Sequence, residues 1–147
     1  MFNHSEFGLW GEAESAKFLK KKGYKILTRN FETSFGEIDI VAFQTARAAK
    51  RQAKALEKAG KSAAQKFFEA KGNTLVFVEV KTRTKRSAER VLPQEAVGKT
   101  KQEKYQMLAE VFVSKTPKFA DVPIRFDIVE VVGDKQNFEI NHIENAF

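Results

Sequence analysis

The 147-residue sequence has no cysteine, which excludes disulfide cross-links and every thiolate metal site. Histidine is almost as scarce: only His4 and His142 occur, near opposite ends of the chain. An imidazole-based zinc centre or a Ser-His-Asp triad therefore has little to draw on. No segment approaches the ~20 consecutive apolar residues that a membrane-spanning helix needs. The opening MFNHSEFGLWGEAE also lacks the basic stretch and apolar core of a secretory leader. A cytoplasmic, membrane-free protein is the expectation.

What is present is positive charge, and it is unevenly spread. The net charge is +7 and the isoelectric point about 9.6, a balance that suits a polyanionic partner. Between Arg47 and Lys71 eight bases (Arg47, Lys50, Arg51, Lys54, Lys58, Lys61, Lys66, Lys71) face only Glu57 and Glu69. That surplus of six leaves the rest of the chain nearly neutral.

At this length one domain with a proper core is expected, spanning residues 1–147. The stretch GLWGEAESAKFLKKKGY carries Leu9, Ala13, Ala16 and Leu19 at helical spacing, and lysines followed by Gly23 give the usual helix stop. YKILTRNF and SFGEIDIVAF read as strands, with Ile38 and Ile40 on one face and Glu37, Asp39 and Val41 on the other. Residues 44–73, rich in Ala, Lys and Glu, read as a basic, partly helical insert between two core strands. TLVFVEVKTR is the next strand, and TKRSAER a basic loop. A helix is expected from about Pro93 to Ser114, then a strand at PIRFDIVEVV and another at NFEINHIENAF. This order predicts an α/β fold, a mixed sheet with helices against it.

Residues two apart on a strand share a face and lie about 6.6 Å apart along it. Glu37 and Asp39 thus project together, as do Glu79 and Lys81, while Val76, Val78 and Val80 form an apolar face. Cross-strand ion pairs on a half-exposed sheet would produce such a pattern too, at a few tenths of a kcal/mol each. The combination is what points to chemistry: a carboxylate pair on one strand, an E-x-K on a second, then Arg83 and a basic loop. Clustered carboxylates stay close only when something compensates them, and oxygen-only ligands suit Mg²⁺ or Mn²⁺. A cation between Asp39 and Glu79 beside a lysine is equipment for phosphodiester hydrolysis.

GEID followed by FVEVKTR resembles the D…E-x-K signature of the PD-(D/E)xK, or restriction-endonuclease-like, superfamily. Closer still is the similarity to the small bacterial YraN-type proteins, predicted endonucleases related to archaeal Holliday-junction resolvases. It begins at GEAESAKFLKKKGYKILTRNF, runs through GEIDIVAF and LVFVEVKTR, and continues in PQEAVGKTKQEK and RFDIVEV. The resemblance implies a restriction-endonuclease-like sheet, with Asp39 and Glu79 as metal ligands and Lys81 as the catalytic lysine. It selects Glu12 as a further acid, a choice over Glu14 that the residues alone leave open. Glu37 and Lys101 also match the pattern. Glu37 is read as an orienting group or as a partner for Arg83 or Lys101. The family's two motif strands are usually joined by a short turn, so the insert is a departure.

The implied activity is Mg²⁺- or Mn²⁺-dependent endonuclease action on branched, flapped or single-stranded DNA, in repair or recombination. Resolvase relatives act as dimers, which makes a homodimer an expectation carried by the resemblance. Lys85 and Arg86 in the basic loop, with Arg47, Lys50, Arg51 and Lys54 in the insert, are candidates for contacting the backbone. Phe67 and Phe68 are candidates for stacking on bases. The alternative is a non-catalytic nucleic-acid-binding module on the same fold. A membrane-surface adaptor fits poorly, because the insert lacks a bulky apolar face. Arg125 and Asp127 read as a buried ion pair supporting the sheet, and His142 as structural or exposed.

Overall fold

The computed structural model describes residues 5–60, 72–89, 92 and 97–147. The expected helix start at Pro93, the stacking candidates Phe67 and Phe68, and residues 61–71 of the insert lie outside the described residues. Element order is α1 (Glu6–Lys21), β1 (Lys25–Thr33), β2 (Gly36–Gln44), α2 (Ala46–Lys58), β3 (Thr74–Arg83), the short α3 (Lys85–Ala88), α4 (Lys99–Lys115), a 3-10 turn (Pro117–Phe119), β4 (Ile124–Gly133) and β5 (Phe138–Ile143). The strands form one five-stranded sheet in the order β1-β2-β3-β4-β5. All neighbours are antiparallel except β3 and β4, which run parallel. A parallel pair needs a long crossover, and α4 lies within it. This mixed sheet with flanking helices is consistent with a restriction-endonuclease-like fold.

Local signals account for the helix ends. Ser5 caps α1 by accepting the Gly8 N–H at 3.0 Å, and Glu6 and Lys20–Lys21 complement the helix dipole at its two ends. Gly23, at φ 93°, then turns the chain into β1, in a region of backbone space that glycine enters without strain.

Each face of the sheet is covered. Ala16 and Leu19 of α1 pack with Ile40, Ala42, Val76, Val78 and Val129 on one side. Tyr105, Leu108, Ala109 and Phe112 of α4 pack with Ile38, Val41, Leu75 and Phe77 on the other. Strand β3 is thus buried on both sides, which is why its sequence is apolar at consecutive positions up to Val78.

One expectation needs correcting: Ile38 and Ile40 do not share a face, since Ile38 belongs to the α4 cluster and Ile40 to the α1 cluster. Strict alternation breaks at Asp39, opposite Asn30, which takes φ 54°. Strand β1 carries a further irregularity between Ile26 and Thr28, and such bulges re-aim side chains.

The expected Arg125–Asp127 pair is present and buried. Arg125 donates from Nε to Asp127 Oδ1 and from Nη2 to Oδ2, both at 2.8 Å. The guanidinium also donates to Gln44 Oε1 and to the Tyr24 hydroxyl. His142 is structural: Lys22 Nζ donates to its Nδ1 and its Nε2 donates to Asp127 Oδ2, each at 2.7 Å. Among the described residues no helix is long and apolar enough to cross a membrane.

Candidate active site

The pairing of β2 with β3 runs from Gln44↔Thr74 to Ile40↔Val78 and goes no further. Beyond that point β2 continues against β1 as far as Gly36, and β3 continues against β4 as far as Arg83. The sheet therefore forks, and GEID lines one prong while EVKTR lines the other. Asp39 stands in the crotch, where its Oδ2 accepts the Val80 N–H at 2.8 Å. A carboxylate here replaces the carbonyl that an unbroken ladder would have offered, which ties the end of the pairing to the position of the acid.

Three carboxylates meet at the fork. Glu12, Glu37 and Asp39 each offer an oxygen, and these atoms lie within 4.8 Å of one another. Glu12 is 5% exposed, whereas Glu14 points to the outer side and pairs with Lys17 at 3.3 Å. The structure thus separates two acids that the sequence alone left equivalent. The buried stripe of α1 runs through Gly11, Glu12, Ser15, Ala16 and Leu19, not through the expected Leu9, which is exposed.

Gly11 explains how α1 comes close enough. A Cβ there would stand 2.7 Å from Thr82 Cγ2 and 2.8 Å from Thr82 Cβ, so only glycine lets the helix rest on β3. Gly→Ala inside a helix ordinarily stabilises by about 0.5–1 kcal/mol. Here Gly11→Ala should instead destabilise by about 1–3 kcal/mol, the cost of overpacking, and should displace Glu12. Urea unfolding of the variant beside wild type checks the sign.

Glu79, also 5% exposed, approaches Asp39 from the α4 face. Its Oε2 accepts from the Tyr105 hydroxyl and its Oε1 from Lys101 Nζ, with Lys81 Nζ 3.3 Å from Oε1. Burial pushes the Glu79 carboxyl up, but the Lys101 charge, hydrogen bonds from Lys101 and Tyr105, and Lys81 together hold it below its usual range. Asp39 goes the other way. Burial and the neighbouring Glu79 and Glu12 charges raise its carboxyl well above the ordinary value, against the pull of the Val80 N–H. Burial also depresses Lys101, but the attraction of Glu79 outweighs it and the ammonium is held more firmly than usual.

Four acids (Glu12, Glu37, Asp39, Glu79) face two ammoniums (Lys81, Lys101), a surplus of two negative charges. The donor set is entirely oxygen, which fits a hard divalent cation. Neutralising that surplus would offset the like-charge repulsion that adds to burial in raising Asp39.

The remaining sequence candidates fall in different places. Arg83 pairs with Glu130 of β4, with Nε donating to Oε2 at 2.8 Å, and Asn141 steadies Glu130 from β5. Lys101 pairs with Glu79 across the site. Lys85 and Arg86 are exposed on α3, just beyond the fork end of β3. Arg47, Lys50, Arg51 and Lys54 lie exposed on α2, past the opposite end of β2. Tyr105, Gly11 and Glu130 were missed from sequence. For Tyr105 a signal existed, since it stands four residues after Lys101 and so shares its helix face.

Comparison with known proteins adds the family. A model described as "Uncharacterised protein family UPF0102" matches residues 11–131. A UPF0102 protein of Syntrophomonas wolfei is 38% identical, with 97% of each chain covered. One of Caldicellulosiruptor saccharolyticus is 40% identical over 99% of each chain. One of Bacteroides thetaiotaomicron is 34% identical, covering all of this chain and 96% of the relative.

Proposed function

We propose that this chain, which belongs to the UPF0102 family, is a metal-dependent nuclease that hydrolyses phosphodiester bonds, with branched, flapped or single-stranded DNA as the substrate class. The observation carrying the reading is the convergence of Glu12, Glu37 and Asp39 oxygens within 4.8 Å of one another, beside a Glu79–Lys81 pair at a fork in the sheet. Asp39 and Glu79 would hold Mg²⁺ or Mn²⁺, with Glu12 and Glu37 completing the acidic shell. Glu79 would join that set only with its Oε1 released from Lys101. When bound, the cation supplies Lewis-acid polarisation of the phosphoryl group and lowers the pKa of water.

The protein's own groups do the rest. Lys81, 20% exposed at its side chain and 3.3 Å from Glu79, donates to the attacking water and to a non-bridging phosphoryl oxygen as charge accumulates. Water adds to phosphorus and releases a proton to solvent, the ester P–O bond breaks, and the leaving oxygen takes up a proton from solvent. Tyr105 fixes the Glu79 carboxylate through its second oxygen, leaving the first towards Lys81 and Lys101. Glu130 holds Arg83 at the rim of the site, where Lys85 and Arg86 extend the basic surface towards a phosphate backbone.

The test is Lys81→Ala, assayed on a labelled four-way junction, a flap, a single strand, a duplex and an RNA hairpin with Mg²⁺ or Mn²⁺. The variant should retain Mn²⁺ binding by calorimetry and lose about 10²–10³-fold in cleavage rate, the usual magnitude for one donor to developing charge. Cleavage unchanged by Lys81→Ala would remove the lysine from the chemistry. Binding without cleavage by wild type would favour the alternative, a non-catalytic nucleic-acid-binding module on this fold.

A further inference from the structure

We infer that α2 is a rigid phosphate-tracking arm, binding the nucleic-acid backbone beyond the Gln44 end of β2, the carboxylate fork lying at the other end of that strand. Arg47, Lys50, Arg51, Lys54 and Lys58 are spaced i, i+3, i+4, i+7 and i+11. At 3.6 residues per turn they fall within an arc of about 100°. All five are exposed. Among the described residues none of them takes part in an ion pair. A solvated surface helix usually intersperses charges of both signs; within this arc every charge is positive, and Glu57, the helix's one acid, lies just outside it.

The other side of the helix is anchored to the body. Ala48 and Ala49 are buried at 1% and 0% exposure. Thr45 caps the helix by accepting the Ala48 N–H at 3.1 Å, and the Ala46 N–H donates to Asn73 Oδ1 at 2.8 Å. Gln52 donates to the Lys22 carbonyl at 3.1 Å and accepts from Gln44. Ala48 and Arg51 close over the Gly23 turn, next to the exposed Lys20 and Lys21. The stripe is therefore presented in a fixed orientation, and its bases need little ordering when they meet a ligand.

Dimensions and charge favour a nucleic-acid backbone as occupant. From Arg47 to Lys58 the helix rises about 17 Å, which matches about five steps of one strand at 3.4 Å per phosphate. Asp39 and Gln44 are five residues apart on β2, about 17 Å at strand rise. A single polyanion can therefore reach from the fork to the arm. An anionic membrane is the lesser match, because the stripe has no bulky apolar residues beside it to enter the lipid boundary.

The inference rests on the nucleic-acid part of the proposed function and not on cleavage, so its test uses binding in EDTA. Fluorescence anisotropy of a short labelled DNA duplex and of a single strand, over a range of salt concentrations, would compare wild type with the combined Arg47→Ala, Lys50→Ala, Arg51→Ala, Lys54→Ala variant. Alanine is the best helix former, and helicity by circular dichroism should be retained. For four contacts the slope of log affinity against log salt should become shallower by about 3–4 on the duplex, with affinity at least tenfold weaker at the lowest salt. Lys50→Gln with Lys54→Gln should give about half that change, and exchanging Arg for Lys and Lys for Arg at all four positions should give none. An unchanged slope overturns the inference. So does loss of binding to phosphatidylserine vesicles with DNA affinity intact, which would make the arm a membrane contact.

Discussion

Asp39→Asn should make the metal-free protein more stable while removing its cleavage activity. The acid sits where burial and the charges of Glu79 and Glu12 oppose its ionisation, so above the ordinary carboxylate range the folded protein bears a penalty that the unfolded chain does not. Asparagine removes the charge, and its carbonyl oxygen can still accept the Val80 N–H now received by Oδ2. A gain of about 1–2 kcal/mol is the usual scale for relieving a strained functional site. At this size that corresponds to a rise of roughly 3–6 °C in melting temperature.

The pH dependence has a definite sign. A carboxyl whose folded pKa lies above its unfolded value destabilises the fold as pH rises from the ordinary carboxylate range through the raised pKa. Metal-free wild type should therefore lose stability over that window, and Asp39→Asn should lose less. Mn²⁺ should raise the melting temperature of wild type at neutral pH. In Asp39→Asn that rise should vanish, and cleavage should fall about a thousandfold, equivalent to losing about 4 kcal/mol of transition-state stabilisation. A variant less stable than metal-free wild type at neutral pH would show that Asp39 serves the fold.

Asp127→Ala should have the largest effect on stability. The Asp127 carboxylate is fully buried and takes two hydrogen bonds from Arg125, one from His142 and one from the Asn145 N–H. Removing it leaves the Arg125 guanidinium buried with much of its charge uncompensated. Breaking such a pair typically costs about 3–5 kcal/mol, or roughly 10–15 °C in melting temperature. Burial alone would raise this carboxyl, but hydrogen bonds from His142 and Arg125 and the Arg125 charge outweigh it and hold it low. Its stabilising contribution is therefore complete above the ordinary carboxylate pKa of about 3.9 and lost as pH falls through the depressed value. Wild type should weaken steeply below about pH 4, and the alanine variant should lack that part of the dependence. Thermal melts of both proteins across the acid range provide the check.

The two acidic residues illustrate what sequence can and cannot convey. Spacing alone placed Glu37 with Asp39 and Glu79 with Lys81, because strand periodicity is a local property. It also anticipated the Arg125–Asp127 pair. Where β2 and β3 part company is not local: it depends on register across the sheet, and the fork is what turns two strand patterns into one site. The face change between Ile38 and Ile40 arises at the same place, next to Asn30 and its positive φ, and alternation counted along one strand could not reveal it. Glu12 was distinguished from Glu14 only by resemblance, and the packing of Gly11 on Thr82 supplies the physical reason. Arg83 finds Glu130 because β3 and β4 lie parallel with Lys81 beside Glu130, a pairing set by a crossover whose partner strand is 40 or more residues away. Tyr105 was overlooked as an ordinary helix aromatic, although its hydroxyl needed a partner once buried.

Cleavage of the labelled panel by wild type and Asp39→Asn, purified identically and run with Mn²⁺ and with EDTA, tests the central claim most directly. Metal-dependent cutting by wild type that EDTA and Asp39→Asn both abolish is the predicted result. Cutting that survives in EDTA, or equally in Asp39→Asn, would contradict the carboxylate fork as the seat of the chemistry.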